Sequence, residues 1–290
     1  MPDFTQITLE ISGTVATITL NRPEKMNAFT RVMMQEMIEA LDITDAEDGV
    51  RAVIVTGSGD RAFCAGADLT PEGGGQVFSS EGSGAELSSE IVRDSGGRLT
   101  LRLFNSTKPL IGACNGVAVG VGATMQLPFD IRLAADSARF GFVFARRGIA
   151  PEAASSWFLP RLVGMQTALE WCMTGRIFDA AEARDRGLIR SLHPQADLLG
   201  AARDIAMEIA DNTSAVSVAM TRAMLWRLSP TQHPMMAHRI DSRAIYRLSK
   251  SADAKEGIES FLQKRPPNYP DTVSGDMPDF YPWWDEPDYA

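Results

Sequence analysis

Residues 15–20 (Val-Ala-Thr-Ile-Thr-Leu) and 52–56 (Ala-Val-Ile-Val-Thr) both have the β-branched, alternating character of strands, and a helix pattern lies between them. Thr30 is placed to cap that helix, and Val32, Met33, Glu36, Met37, Ala40 and Leu41 give residues 31–41 its period. A strand, a helix and a second strand joined in this way form a crossover, which makes the two strands parallel members of one sheet. The fold class is therefore α/β. Residues 7–11 read as a further strand, joined to 15–20 as a hairpin through Ser12-Gly13.

The next segment of this kind is a short apolar run, Pro109 to Cys114, followed by Asn115-Gly116 and then Gly120-Val121-Gly122. Asn115 and Gly116 suit the left-handed backbone of a sharp turn. Residues 120–127 read as a helix ended near Pro128. The first N–H groups of a helix have no internal partner, and glycines there let a ligand oxygen come close. The spacing is neither Gly-x-Gly-x-x-Gly nor Gly-x-x-x-x-Gly-Lys-Ser/Thr, so a nucleotide-phosphate cradle is not supported.

Upstream, Ala62-Phe-Cys-Ala-Gly-Ala-Asp-Leu69 has the same character, with small residues around Gly66. It suits a buried turn in which Asp68 caps a helix. It equally suits a second exposed amide, that of Ala67, aimed at the same pocket as the amide of Val121. Two such donors on separate turns can hold the oxygen of an enolate, and loss of one typically costs ~10²–10³ in rate.

The chain has 290 residues, enough for one large domain with an appendage, and 44% of them are hydrophobic against 22% charged. No signal pattern or membrane-length apolar run occurs, and Cys64, Cys114 and Cys172 stand far apart with no metal spacing. A reduced, cytoplasmic protein without a bound metal is expected. A formal charge of -9 argues against nucleic-acid binding, and opposes a polyanionic ligand unless local basic groups meet it.

Residues 71–97 are rich in Gly and Ser and read as a lid or binding loop; of its acids Glu81, Glu86, Glu90 and Asp94, one can reach the pocket. Strands are expected at 131–134 and 139–142, a loop at 144–152, and helices from Ser155 onward, including 201–210, 216–228, 238–249 and 253–265. The last twenty residues, with Trp283-Trp284, have no period and read as a mobile tail or an arm on a neighbour.

Taken in order and spacing, several short segments resemble the crotonase superfamily of enoyl-CoA hydratases and isomerases. They are Leu20-Asn-Arg-Pro-Glu with Asn27-Ala28, the 63–69 run, 115–122, Phe129-Asp130, Thr174-Gly175, Glu182-Ala183, Gly187-Leu188, and Glu256-Gly257-Ile258 with Phe261. The resemblance spans about residues 15–264. It implies a crotonase-like ββα spiral core over 1–200, a helical trimerisation region over 201–267 and an irregular tail over 268–290, assembled as a homotrimer or dimer of trimers. It implies an acyl-CoA substrate, with coenzyme A entering as part of that substrate and no separate cofactor. By the same matching, the amides of Ala67 and Val121 are the oxyanion pair, and Ala65 with Ala67 form the adenine-side wall. Arg22, Lys25, and Lys264 or Arg265 from a neighbouring subunit are candidate phosphate contacts. Gly66, Asp68, Leu69, Gly120, Thr124 and Phe144 complete the expected substrate-binding set.

Hydratases of this superfamily place two glutamates around a water, and the matching positions here are Thr124 and Phe144. Neither is a carboxylate, so water addition by that route lacks its acids. Glu152 instead sits in Pro-Glu-Ala-Ala-Ser-Ser-Trp, similar to the Pro-Glu-x-x-Ser-Ser segment of peroxisomal Δ3,Δ2-enoyl-CoA isomerases, where the glutamate is the base. Moving a double bond needs one carboxylate, and an apolar pocket walled by Phe142, Phe144 and Trp157 would raise its pKa. Glu152 also fits a plain helix-start carboxylate. Isomerisation with Glu152 as base is the leading expectation; hydration through a different acid, or a non-catalytic CoA-binding oligomer, are the alternatives. Ser155 and Ser156 have no histidine nearby in a suitable turn, since His193, His233 and His238 fall in helix or linker contexts. Asp68 and Asp130 read as turn braces.

Overall fold

A computed structural model describes residues 2–70 and 90–289. It begins with the hairpin β1 (Ile7–Ser12) and β2 (Val15–Leu20), antiparallel and turned at Gly13, whose φ of 61° is the left-handed conformation a glycine adopts without strain. Helix α1 (Arg31–Ala46) then crosses to β3 (Ala52–Gly57), which lies parallel to β2 as the crossover requires. The Thr30 hydroxyl accepts from the Met33 amide, and Met33, Met37, Ala40 and Leu41 are buried.

From β3 to β8 the chain places its strands alternately in two sheets. β3, β5 (Leu110–Cys114) and β7 (Ile131–Ala135) join the large sheet, whose order is β1-β2-β3-β5-β7-β10, closed by β10 (Ser191–His193). β4 (Ala62–Cys64), β6 (Val117–Val119) and β8 (Arg139–Gly141) build the second sheet, whose order is β4-β6-β8-β9 with β9 (Ile177–Asp179) at its end. β4, β6 and β8 are mutually parallel, so the loops that follow them emerge side by side at one end of that sheet. This alternation is the ββα spiral of the crotonase-like fold. β4 and β6 have three residues each, too few to show alternation in the sequence, and neither is expected there as a strand.

Two buried asparagines pin the turns between sheets. Asn115 donates to the carbonyls of Gly57 and Gly59, both at 2.8 Å, and Asn27 donates to that of Ala62 at 2.8 Å. Asp130 is a brace, as expected: its oxygens accept from the Leu110 amide, Arg222 Nε and Trp226 Nε1 at 2.7, 2.8 and 2.7 Å.

Helix α2 (Ser95–Phe104) starts inside the expected 71–97 loop, because Asp94 caps it and Gly96 and Gly97 form its first turn. The expected loop therefore ends at Asp94; its residues 71–89, including Glu81 and Glu86, lie outside the described residues. The expected helix over 120–127 shortens to α3 (Val121–Thr124), followed by turns. Downstream come α4 (Ser155–Val163), α5 (Met165–Thr174), α6 (Ala180–Asp185) and α7 (Leu198–Asn212). The boundary expected at 200/201 falls inside α7, whose Leu198, Ala202 and Ala206 pack against Val15, Ile54, Ile111 and Leu133. α7 covers one face of the large sheet.

The remaining helices are α8 (Ala215–Leu228), α9 (Pro234–Leu248), α10 (Ala252–Gln263) and the short α11 (Val273–Asp276). α5, α9 and α10 leave Met165, Met173, Ile245, Tyr246, Ile258, Leu262 and Phe261 exposed, the last at 81%. The tail after α10 folds back on its own chain: Ser274 hydrogen-bonds Asp48, and the Arg227 guanidinium lies 3.6 Å from the ring centre of Trp284. His193 ends β10 rather than lying in a helix or linker, and its ring bonds the Ser191 hydroxyl at 2.8 Å. No described helix is long and apolar enough to cross a membrane.

Candidate active site

The loops after β4, β6 and β8 enclose a cavity of about 590 Å³, whose wall includes Ala65, Gly66, Ala67, Leu69, Gly120, Val121, Phe144 and Glu152. Eight of the residues expected at a site thus meet in one place.

Gly66 has φ 109° and Gly120 has φ 57°. Both conformations are open to glycine and strained for other residues. They aim the peptides that follow, Ala67 and Val121. The turns are in contact: a Cβ on Gly120 would lie 3.9 Å from Gly66 Cα, and one on Gly66 would lie 3.2 Å from the Val119 carbonyl. Ala67 forms a single parallel bridge with Phe29, in which Phe29 N donates to Gly66 O and Asp68 N to Phe29 O, each at 2.8 Å. A parallel bridge of this kind leaves the Ala67 N–H on the other side of the chain. Val121 opens α3, where no residue four positions earlier is helical. Neither amide donates to an acceptor among the described residues.

Gly122 seats α3 against β4, for a Cβ there would come 2.0 Å from the Cys64 carbonyl. The first turn of α3 can approach the neighbouring loop this closely only with hydrogen at that position.

Glu152 enters from the loop before α4. The next two residues, Ala153 (φ 58°) and Ala154 (φ 51°), hold left-handed backbone without being glycine. Such conformations cost roughly 1–3 kcal/mol each and persist where surrounding contacts fix them. Thr124 Oγ1 donates to Glu152 Oε1 at 2.5 Å. The other oxygen, Oε2, lies over the first turn of α2, where a Cβ on Gly96 would meet it at 1.8 Å. Burial raises the Glu152 carboxyl from its ordinary 4.5 to about 8; the Thr124 hydrogen bond opposes this, and the adjacent Asp94 carboxyl adds to it.

Asp94 is the other carboxyl on the cavity wall. Its Oδ1 accepts from the amides of Gly97 and Ala153, the second at 3.2 Å. It is the one loop acid, among those described, that reaches the pocket. Arg31 and Arg147 also line the cavity and were not anticipated. Arg147 belongs to the Arg-Arg pair just upstream of Glu152, and Arg31 follows the helix cap, so proximity to those two landmarks was their only sequence signal.

Other expected residues stand elsewhere. Arg22 and Asp68 pair with each other at 2.9 Å instead of lining the cavity, and Arg22 also donates to the Ala28 carbonyl at 2.6 Å. Lys25 is exposed on a short 3₁₀ turn (Pro23–Lys25), outside the cavity wall. Lys264 ends α10 in a left-handed conformation, and Arg265 pairs with Glu256 at 2.6 Å. Of the three expected aromatic walls, Phe144 alone lines the cavity. Phe142 is buried against Trp171, and Trp157 packs with Phe104 and Trp226 beside a separate groove. Phe29, Val119, Val143 and Ile149 supply the apolar surface in their place. Ser155 is buried and Ser156 exposed, and neither has a histidine partner. No cluster of metal-ligating side chains occurs among the described residues.

A family model described as enoyl-CoA hydratase/isomerase matches residues 10–272. The chain is 41% identical over 260 residues to the enoyl-CoA hydratase ACTT3 of Alternaria alternata, covering 89% of this chain and 84% of that one. It is 32% identical over 257 residues to the 1,2-epoxyphenylacetyl-CoA isomerase of Escherichia coli, covering 88% and 94%. Among solved structures, an enoyl-CoA hydratase from Bacillus anthracis superimposes with a TM-score of 0.81 at 30% identity, covering 91% of this chain and 99% of that one.

Proposed function

The chain belongs to the enoyl-CoA hydratase/isomerase family, and within it we propose that it shifts the double bond of an acyl-CoA from the 3 to the 2 position, with Glu152 as the base. One observation carries this reading: the Glu152 carboxyl and the free amides of Ala67 and Val121 share one cavity. With the thioester oxygen between the two amides, the C–H bond at C2 is acidified, because its electrons can pass to an oxygen held by two N–H donors. Glu152 takes that proton, and the resulting dienolate accepts a proton at C4 from the same carboxyl. General acid–base catalysis of this kind contributes about 10²–10⁴ in rate. The walls from Phe29, Val119, Val143 and Phe144 suit the acyl chain. Arg31 and Arg147, with Lys25 farther out, offer cations for the coenzyme A phosphates against a net charge of -9.

Hydration is the second reading, supported by relatives that are named hydratases. Thr124 and Phe144 supply no acid, so it would draw on Asp94 beside Glu152. We also propose assembly as a trimer or dimer of trimers, through the apolar faces left exposed on α5, α9 and α10.

The deciding experiment incubates the protein with a 3-enoyl-CoA and, separately, with a 2-enoyl-CoA. Formation of the 2-enoyl product, lost in Glu152→Gln, is the expected result. Hydration without isomerisation would replace the first reading by the second. Tight acyl-CoA binding with neither product would leave a binding protein.

A further inference from the structure

Asp94 and Glu152 reach the cavity from different elements, yet one strained stretch of backbone binds them together. Asp94 caps α2 through the Gly97 amide, and the same oxygen takes the N–H of Ala153, the residue after Glu152. Ala153 can present that N–H because its φ is 58°. Glu152 Oε2 lies over Gly96, in the turn that Asp94 caps, and both side chains stand on the wall of one cavity. Two carboxylates this close do not both ionise readily. Asp94 is exposed at the cavity mouth, whereas the Glu152 carboxyl is desolvated.

We propose that Asp94 and Glu152 form a carboxyl pair that holds one proton between them, and that Asp94 passes protons between Glu152 and solvent. The idea rests on Glu152 being the proton-handling group of the proposed function. In the reaction, the Glu152 carboxylate breaks the C2–H bond and forms an O–H bond, while the electron pair moves to the thioester oxygen. Asp94 gives the shared proton to water, takes the C2-derived proton from Glu152 and gives it to water in turn, and two protons return from water through Asp94, one to Glu152 and one to the pair. Glu152 delivers this second proton to C4. One hydrogen leaves C2 for solvent, and one from solvent arrives at C4.

The charged and titratable groups facing Glu152 are few. Arg31 at the start of α1 and Arg147 after β8 line the same wall. The Cys64 thiol, on β4, is pushed up to about 12 by burial and carries no charge. The Thr124 hydroxyl contacts the oxygen turned away from Gly96. Asp94 is therefore the facing group that favours the protonated form of Glu152.

Positioning through proton sharing has a signature that a helix cap lacks. Asn and Ser both cap helices, so Asp94→Asn and Asp94→Ser keep α2 while removing the acid. In protein labelled with carboxyl-¹³C glutamate, one signal, absent in Glu152→Gln, titrates near neutrality. In both Asp94 variants its midpoint falls by about one pH unit or more. With substrate deuterated at C2, the fraction of deuterium found at C4 rises severalfold in the variants, because exchange with water is cut off. An unchanged midpoint in folded variants overturns the pair, and an unchanged deuterium fraction overturns the relay. Absence of isomerisation in the parent removes the base role of Glu152 instead, and the titration still decides the pair.

Discussion

Thr124 Oγ1 donates to Glu152 Oε1 across 2.5 Å. The Thr124 hydroxyl thus serves the more deeply buried of the two carboxyls on the cavity wall. A hydrogen bond to the ionised form eases removal of the Glu152 proton and fixes the carboxyl over the cavity. Thr124→Val keeps the shape and deletes the donor. We expect the Glu152 midpoint to rise and kcat/KM at pH 7 to fall about 10–150-fold, as for a lost hydrogen bond to a charged group of about 1.5–3 kcal/mol. A pH–rate profile of the two proteins checks both changes.

The parent enzyme is expected to gain activity with pH. Burial places the Glu152 carboxyl at about 8, so at pH 6 nearly all of it is protonated and cannot act as a base. kcat/KM for isomerisation therefore rises about tenfold per pH unit below that value and levels off above it. A profile already flat at pH 6 would show that the free enzyme carries an ionised base.

The same shift reaches stability. The native state holds a proton on Glu152 that the unfolded chain releases near its ordinary 4.5, so this group's contribution to stability declines between pH 4.5 and about 8. Glu152→Gln removes the titration. The variant is expected to match the parent below pH 4.5 and to exceed it above pH 8 by on the order of 5 kcal/mol. Urea melts at pH 4, 6.5 and 8.5 report the difference.

Gly96→Ala separates site from scaffold. The added Cβ would lie 1.8 Å from Glu152 Oε2, the free end of a side chain, so the carboxyl moves and the helix stays. Alanine also favours α2 by about 0.5–1 kcal/mol relative to glycine. Activity is expected to drop about 10²-fold with little loss of Tm, since misplacement by about 1 Å costs this much.

Far from the cavity, Arg222 carries structure. It is buried, pairs with Asp130 at 2.8 Å, and donates to the Leu103 and Phe104 carbonyls at 2.9 and 2.8 Å, tying α8 to the end of α2. Arg222→Met strips partners from buried acceptors and is expected to cost about 3–5 kcal/mol. Thermal unfolding measures the loss, while kcat per folded molecule is expected to be unchanged.

The crossover from β2 to β3, the hairpin before it and the two glycine turns were legible because period and turn chemistry are local properties. The place of Glu152 on the same cavity wall as those turns was signalled by its flanking residues. The second sheet was not, since three residues in β4 or β6 carry no visible alternation. Partner choice was hidden as well. Arg22 reads as a free cation until Asp68, 46 residues away, is seen to hold it. Phe142 and Trp157 read as pocket walls until packing turns them to Trp171 and Trp226. Asp94 read as one loop acid among four, and its meeting with Glu152 depends on a helix start and a strained backbone that are set by tertiary contacts.

A crystal structure with a non-reactive acyl-CoA bound tests the whole account at its centre. The expected complex has the thioester oxygen about 2.7–3.1 Å from both the Ala67 and the Val121 nitrogen. It also has the Glu152 carboxyl about 3–3.5 Å from C2, on the face it shares with C4. A thioester oxygen bound away from these amides, or a different carboxyl facing C2, would contradict it.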